Sequence, residues 1–238
     1  MFKKIIRKIK HSALRVQNFI LPTESILSSK EKWNLLAQKN AKYFVLTNQG
    51  QGINEEEFRR SGHFDYENLI KNDDLVRSLI PNPKSAKVVE IGCGIGRISE
   101  FIAQDFSEVS GIDISEEMVS QAKTRLCRIK NLHFFPTSGL NYPFPNDYFD
   151  FAFSFIVFQH MPSKAVVKKN FEEIFRVLKP GGLAKIQVRG IEVKKGDWFY
   201  GPAFSLQDVF DLIKGLKLNL IHHQDEGEKY FWLYFQKT

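Results

Sequence analysis

From about residue 85 onward, short apolar runs alternate with longer stretches in which apolar residues recur every three or four positions. The runs at 87–92, 108–113, 131–136, 149–156, 183–189, about 217–224 and 229–236 have strand length and are rich in Val, Ile, Phe and Tyr. Amphipathic helices are expected between them at 96–105, 115–128, 163–178 and 205–215. Buried strands alternating with helices are the pattern of an α/β domain, because each helix carries the chain back across the sheet and covers one of its faces.

Upstream the pattern is helical. Residues 30–45 and 54–80 read as helices separated by the polar turn at 48–52, the second with a break at Ser61-Gly62. This region, 23–84, is expected to form a helical cap on the 85–238 domain, and its aromatic residues Trp33, Tyr43, Phe44, Phe58, Phe64 and Tyr66 fit either its core or the roof of a site. Within 1–22, Phe2, Ile5, Ile6, Ile9, Leu14 and Ile20 recur near helical spacing with basic residues between them, and Leu21-Pro22-Thr23 is expected to end that helix. Such a segment fits either the anionic surface of a membrane or a helix packed on the domain.

Composition narrows the class. The chain has 238 residues, enough for one α/β core with an extension, and 43% hydrophobic with 26% charged residues is a globular balance. The formal charge is +7, but Lys3, Lys4, Arg7, Lys8 and Lys10 crowd into the first ten positions. A surplus gathered at one end, without basic residues along a groove, argues against a nucleic-acid partner. Two cysteines far apart, Cys93 and Cys127, indicate neither a disulfide framework nor a zinc site, and no apolar run is long enough to span a bilayer. A cytoplasmic location is expected, with the inner face of a membrane as the alternative for residues 1–20.

The densest chemical signal is Val88-Val89-Glu90-Ile91-Gly92-Cys93-Gly94-Ile95-Gly96-Arg97. Glycines at alternate positions after a buried strand let the backbone turn sharply and lie against a ligand. A dinucleotide fingerprint would place its third glycine one residue later, where Arg97 stands. Asp113 ends the next strand, where a carboxylate can accept both hydroxyls of a ribose; alternatively it caps the helix that begins near Ser115.

These segments, with VSGIDIS, PFPNDYFDFAFS and FRVLKPGGLAKIQV following in order, resemble the class I S-adenosylmethionine-dependent methyltransferases over about 85–238. The resemblance implies a Rossmann-like seven-stranded sheet of order 3-2-1-4-5-7-6, helices on both faces and only the last strand antiparallel. It also implies S-adenosylmethionine as cofactor. Glu90 and Gly92 would then hold its methionine end, with Gly94 and Gly96 passing beneath and Cys93 between them in the same loop. Asp113 would bind the ribose, and Ile114 and Met118 would pack on the adenine. Ser138 and Gly139 occupy the turn after strand three, where many relatives carry an aspartate for the adenine amino group. Leu178-Lys179-Pro180-Gly181-Gly182 corresponds to the family's structural turn before strand five.

Methyl transfer from a sulfonium needs alignment above all, and a base only when the acceptor carries a proton of high pKa. His160, just past strand four, is the candidate base, or else a packing residue ahead of the next helix; Gln159 is a candidate for orienting an acceptor. The sequence has neither the NPPY-like element of base N-methylating enzymes nor an acidic metal-binding cluster, so no metal is expected. Trp198, Phe199, Tyr200 and Phe204 would help roof the acceptor pocket or simply pack. The expected activity is O-methylation of a small molecule or saccharide, lipid-linked if residues 1–20 dock on a membrane. N-methylation of an amine or protein side chain, and a noncatalytic cofactor-binding protein, are the alternatives, and the oligomeric state is left open.

Overall fold

Seven strands form one sheet in the order β3-β2-β1-β4-β5-β7-β6 in the computed structural model, which describes residues 22–46, 52–192 and 201–238. The strands are β1 Lys87–Ile91, β2 Glu108–Asp113, β3 Leu132–Pro136, β4 Phe149–Ser154, β5 Leu178–Val188, β6 Leu218–Gln224 and β7 Phe231–Lys237. β3, β2, β1, β4 and β5 pair in parallel, whereas β7 runs antiparallel to both β5 and β6. This is the expected fold. The chain reverses between β1 and β4, so the carboxyl ends of β1, β2 and β4 open onto the crevice where α/β sheets take ligands.

Alternation along the strands builds two cores. Val88, Phe151, Phe153, Trp232 and Tyr234 face one side with Phe101 and Ile102. Their neighbours Val89, Ala152, Leu233 and Phe235 face the other, with Phe171, Ile174 and Val209. Accordingly helix Ser99–Asp105 covers the first face, and helices Lys164–Val177 and Leu206–Ile213 the second. Ser115, Ser163 and Ser205 each cap the helix that follows, their hydroxyls accepting from the backbone N–H of Met118, Val166 and Asp208, which would otherwise lack a partner.

Helix α1 spans Pro22–Val45, starting eight residues before the expected helix; a proline is tolerated in a first helical turn because that N–H needs no partner. It breaks at Asn40, whose backbone leaves the helical region and whose Oδ1 accepts from Tyr43 N at 3.1 Å, so the last turn leaves at a new angle. Helix α2, Glu55–Tyr66, runs straight through Ser61-Gly62 instead of breaking there. Gly62 serves a close approach: a Cβ on it would lie 2.1 Å from the carbonyl oxygen of Arg97. A π-helical turn, Glu67–Lys71, and helix α3, Asp74–Leu79, complete the expected 54–80 segment.

Ala37, Ala41, Phe58, Ile95 and Met118 form a third apolar cluster that joins α1 and α2 to the glycine loop and to the helix Glu116–Arg125. The buried Lys185 ties the π-helical turn and α3 to the sheet, its Nζ donating to Asp73 Oδ2 at 2.8 Å and the Leu69 carbonyl at 2.5 Å while resting against Trp232 and Tyr234. Residues 1–21 and 193–200, which hold the basic amphipathic segment and Trp198, Phe199 and Tyr200, lie outside the described residues. Among the described residues no helix is long and apolar enough to cross a membrane.

Candidate active site

At the carboxyl end of β1 the chain enters a loop in which Gly92, Gly94 and Gly96 have φ of +71°, +54° and +79°. A side chain would be strained at all three, and at each it would also strike a neighbour: Val157 from 92, Val45 from 94, Leu126 and Phe134 from 96. The last turn of α1 and the segment after β4 therefore press on the loop from two directions. Gly92 N and Cys93 N donate to the Ile112 carbonyl at 2.7 and 3.0 Å, which fixes the loop against β2.

Asp113 locks the same junction. Its Oδ2 accepts from Gly94 N at 2.9 Å and its Oδ1 from Ser115 N at 2.8 Å. The cap of the following helix is Ser115, so Asp113 is not the capping residue that the sequence left as an alternative. Burial raises the Asp113 carboxyl above the ordinary aspartate range, and the N–H groups of Ser115, Gly94 and Ile114 oppose that rise. Glu90 is 5% exposed, and burial pushes it up to about 7 against the pull of the Ser99 hydroxyl and the Arg97 guanidinium. Burial, reinforced by Asp113 and Glu90, holds the Cys93 thiol well above its ordinary value, so it stays protonated.

Glu90, Gly92, Cys93, Gly94, Asp113, Ile114, Met118, Gly139 and His160 line a single cleft. Gly96 and Ser138 do not. Gly96 turns toward Leu126 and Phe134 in the core, and the Ser138 hydroxyl accepts from Leu140 N and Asn141 N at 3.3 and 3.1 Å, closing its own exposed turn. Thr137, its neighbour, lines the cleft in its place. Of the expected roof, Trp33 and Phe44 face the cleft, whereas Phe58, Tyr66 and Phe204 are core and Phe64 is exposed.

The cleft also contains residues with little local signal in the sequence. Arg97 is 5% exposed, donating to Asp65 Oδ2 at 2.6 Å and to Ser61 Oγ at 3.4 Å. Its only trace in the sequence is a basic residue directly after the glycines. Tyr142 and Asn170 join through a 2.9 Å hydrogen bond, and Asn170 Nδ2 donates to the Gly139 carbonyl at 3.0 Å. Ile26 and Ser29 come from α1, distant in sequence.

β4 ends at Ser154, two residues earlier than expected, because the chain bends into the cleft. Ile156 there has φ +59°, a conformation costly for a β-branched residue, and its N–H donates to the buried Gln187 Oε1 at 2.9 Å. His160 follows on the short turn Phe158–His160. Its ring meets Trp33 edge-on, with centroids 5.4 Å apart, and its Nε2 lies 3.4 Å from the Gln159 amide nitrogen. Among the described residues no group of His, Cys, Asp and Glu is placed to hold a metal.

Known proteins agree with this geometry. Residues 88–182 match the methyltransferase domain family. The chain is 36% identical over 102 residues to the 2-methyl-6-phytyl-1,4-hydroquinone methyltransferase of Synechocystis, covering 42% of this chain and 31% of that one. It is 36% identical over 106 residues to phosphoethanolamine N-methyltransferase 2 of Caenorhabditis elegans, covering 43% and 24%. The chain thus spans less than a third of the length of either relative. Among solved structures, the magnesium protoporphyrin IX methyltransferase of Synechocystis with bound S-adenosylhomocysteine superposes with a TM-score of 0.65 at 14% identity, over 89% of this chain and 99% of that one, a likeness of fold. Sheet order and glycine loop thus agree with the methyltransferase domain family that residues 88–182 match.

Proposed function

We propose that the protein transfers the methyl group of S-adenosylmethionine to a hydroxyl of a small organic acceptor, with His160 as the general base. The observation that carries this reading is the convergence in one cleft of the glycine loop, the Asp113 carboxylate and the His160 imidazole. Gly92, Gly94, Glu90 and Asp113 would hold the cofactor, the loop through backbone free of Cβ atoms and Asp113 through the lone pairs left after Gly94 N and Ser115 N. Ionised Glu90 would favour the positive methionine end, while Ile114, Met118 and Thr137 would enclose the adenosine. When bound, the cofactor supplies a methyl carbon activated by its positive sulfur.

The chain's own part is to align the acceptor oxygen and accept its proton. Gln159, buried beside His160 with its amide nitrogen 3.4 Å from the ring Nε2, would help orient the acceptor oxygen toward the imidazole. An imidazole suits this step because its ordinary pKa, about 6.5, keeps it neutral and able to take a proton at physiological pH. One relative is named for a hydroquinone and another for an amine, so oxygen and nitrogen acceptors both occur among similar chains. His160→Ala separates them here: loss of turnover with retained S-adenosylhomocysteine affinity supports a hydroxyl acceptor, whereas unchanged turnover removes the base from the mechanism. A protein that binds cofactor but generates no S-adenosylhomocysteine with any acceptor would instead be noncatalytic. For residues 1–20 the amphipathic pattern supports docking on an anionic membrane, and equal flotation of full-length and truncated protein with anionic liposomes would end that reading.

A further inference from the structure

The acceptor half of the cleft differs in chemistry from the cofactor half. Trp33, whose ring meets His160, lines the cleft with Phe44, Phe155, Met161 and Pro162, and none of the five carries a formal charge. The three charged residues that do line the cleft are engaged elsewhere: Arg97 with Asp65, Asp113 with Gly94 and Ser115, and Glu90 with Ser99. The Lys32 ammonium lies 5.9 Å from the centre of the Trp33 ring, and its positive charge offers nothing to a cationic acceptor.

Resting on the hydroxyl-acceptor reading above, we infer that the substrate is a phenol or comparably acidic ring hydroxyl on an apolar body, not a saccharide and not an ammonium-bearing molecule. Two physical arguments meet here. A saccharide would bring many hydroxyls into a wall of aromatic and thioether groups, and each one left unsatisfied there loses its hydrogen bonds to water. An ammonium would lose its hydration with no carboxylate to face it among the described residues of this half. A flat apolar ring loses nothing on entry and packs against Trp33 and Phe44.

Acidity selects the same class. A phenol, with a pKa of about 10, is a few units above an imidazole, whereas an alkyl hydroxyl lies close to water at about 15.7. General-base transfer to His160 is therefore far less uphill from a phenol. In the balanced step the phenolic proton passes to His160 and an oxygen lone pair forms the new bond to the methyl carbon. The carbon–sulfur pair stays on sulfur, the product thioether leaves, and the proton then passes to water.

The test measures S-adenosylhomocysteine formed by the full chain with para-butylphenol, para-butylbenzylamine and methyl glucoside, alongside calorimetric titration with S-adenosylhomocysteine. The expected result is a kcat/KM for the phenol higher than for either other probe by ~10-fold or more. His160→Ala should lower kcat on the phenol, and Trp33→Ala should chiefly raise its KM. Faster turnover of the amine or the glucoside overturns the inference, as does absence of product from the phenol while S-adenosylhomocysteine still binds. Absence of S-adenosylhomocysteine binding overturns the methyltransferase reading itself, and the inference with it.

Discussion

The two halves of the cleft are built in different ways. The half proposed to hold the cofactor is largely backbone at the tips of β1 and β2, with glycine φ values, N–H groups and the carboxylates of Glu90 and Asp113 within about two dozen residues. The half proposed for the acceptor is side chain, assembled from α1 and, more than a hundred residues later, from the bend after β4 and the adjoining turn that bears His160. Backbone at strand ends is held by the sheet ladder and tolerates almost no substitution. A wall of side chains on separate segments can change one residue at a time, so the same cofactor site can serve different acceptors.

The sharpest way to break this comparison is to exchange the effects of the halves. His160→Ala should lower kcat by ~100- to 10,000-fold and leave S-adenosylhomocysteine affinity within a factor of about two, as read by steady-state kinetics and calorimetry. Asp113→Asn should do the reverse, weakening S-adenosylhomocysteine by ~10- to 100-fold, since a charged acceptor that also secures Gly94 is lost. If His160→Ala weakened the cofactor as strongly as Asp113→Asn, the division would fail.

Gly62→Ala probes the pressure of α2 on the glycine loop. Helix propensity alone favours alanine by ~1 kcal/mol, yet its Cβ would meet the Arg97 carbonyl at 2.1 Å. A net destabilisation of ~1–3 kcal/mol is expected from thermal or denaturant unfolding; a gain in stability would mean that the helix docks loosely.

Glu90→Gln reads out the buried acid. Glu90 titrates near 7 in the folded chain against 4.5 for the free side chain, so the native state holds its proton more tightly than the unfolded state. Wild-type stability should therefore fall as pH rises from about 4.5 to 7, a slope the glutamine variant loses. Affinity for the positively charged S-adenosylmethionine should rise over pH 6 to 8, by ~10-fold at most, and be flat in the variant. The smallest effect belongs to Ser138→Ala, less than ~2-fold on cofactor affinity, because its hydroxyl is spent on its own turn. A larger loss would return Ser138 to the adenine side.

Legibility followed the same division. The alternating glycines, the acid ending β2 and the strand–helix alternation are local signals, since each depends on the conformation of a few adjacent residues. A glycine within a helical pattern looks like punctuation, so the sequence predicts a break at Gly62, and only the nearness of the Arg97 carbonyl shows its use. The place of Ser138 after β3 points to a cleft residue, but it is Thr137 that lines the cleft, its N–H donating to the Asp113 carbonyl at 2.9 Å.

By itself, the order of apolar and polar positions determined the α/β class, the order and approximate places of the strands and the glycine loop after β1, because periodicity and glycine conformation act over a few bonds. Tertiary structure alone decided that Asn40 bends α1 onto the loop, that Arg97 pairs with Asp65, and that Trp33 meets His160. Those contacts join segments whose separation along the chain carries no periodic signal, and they exist only once the sheet has fixed where each segment begins.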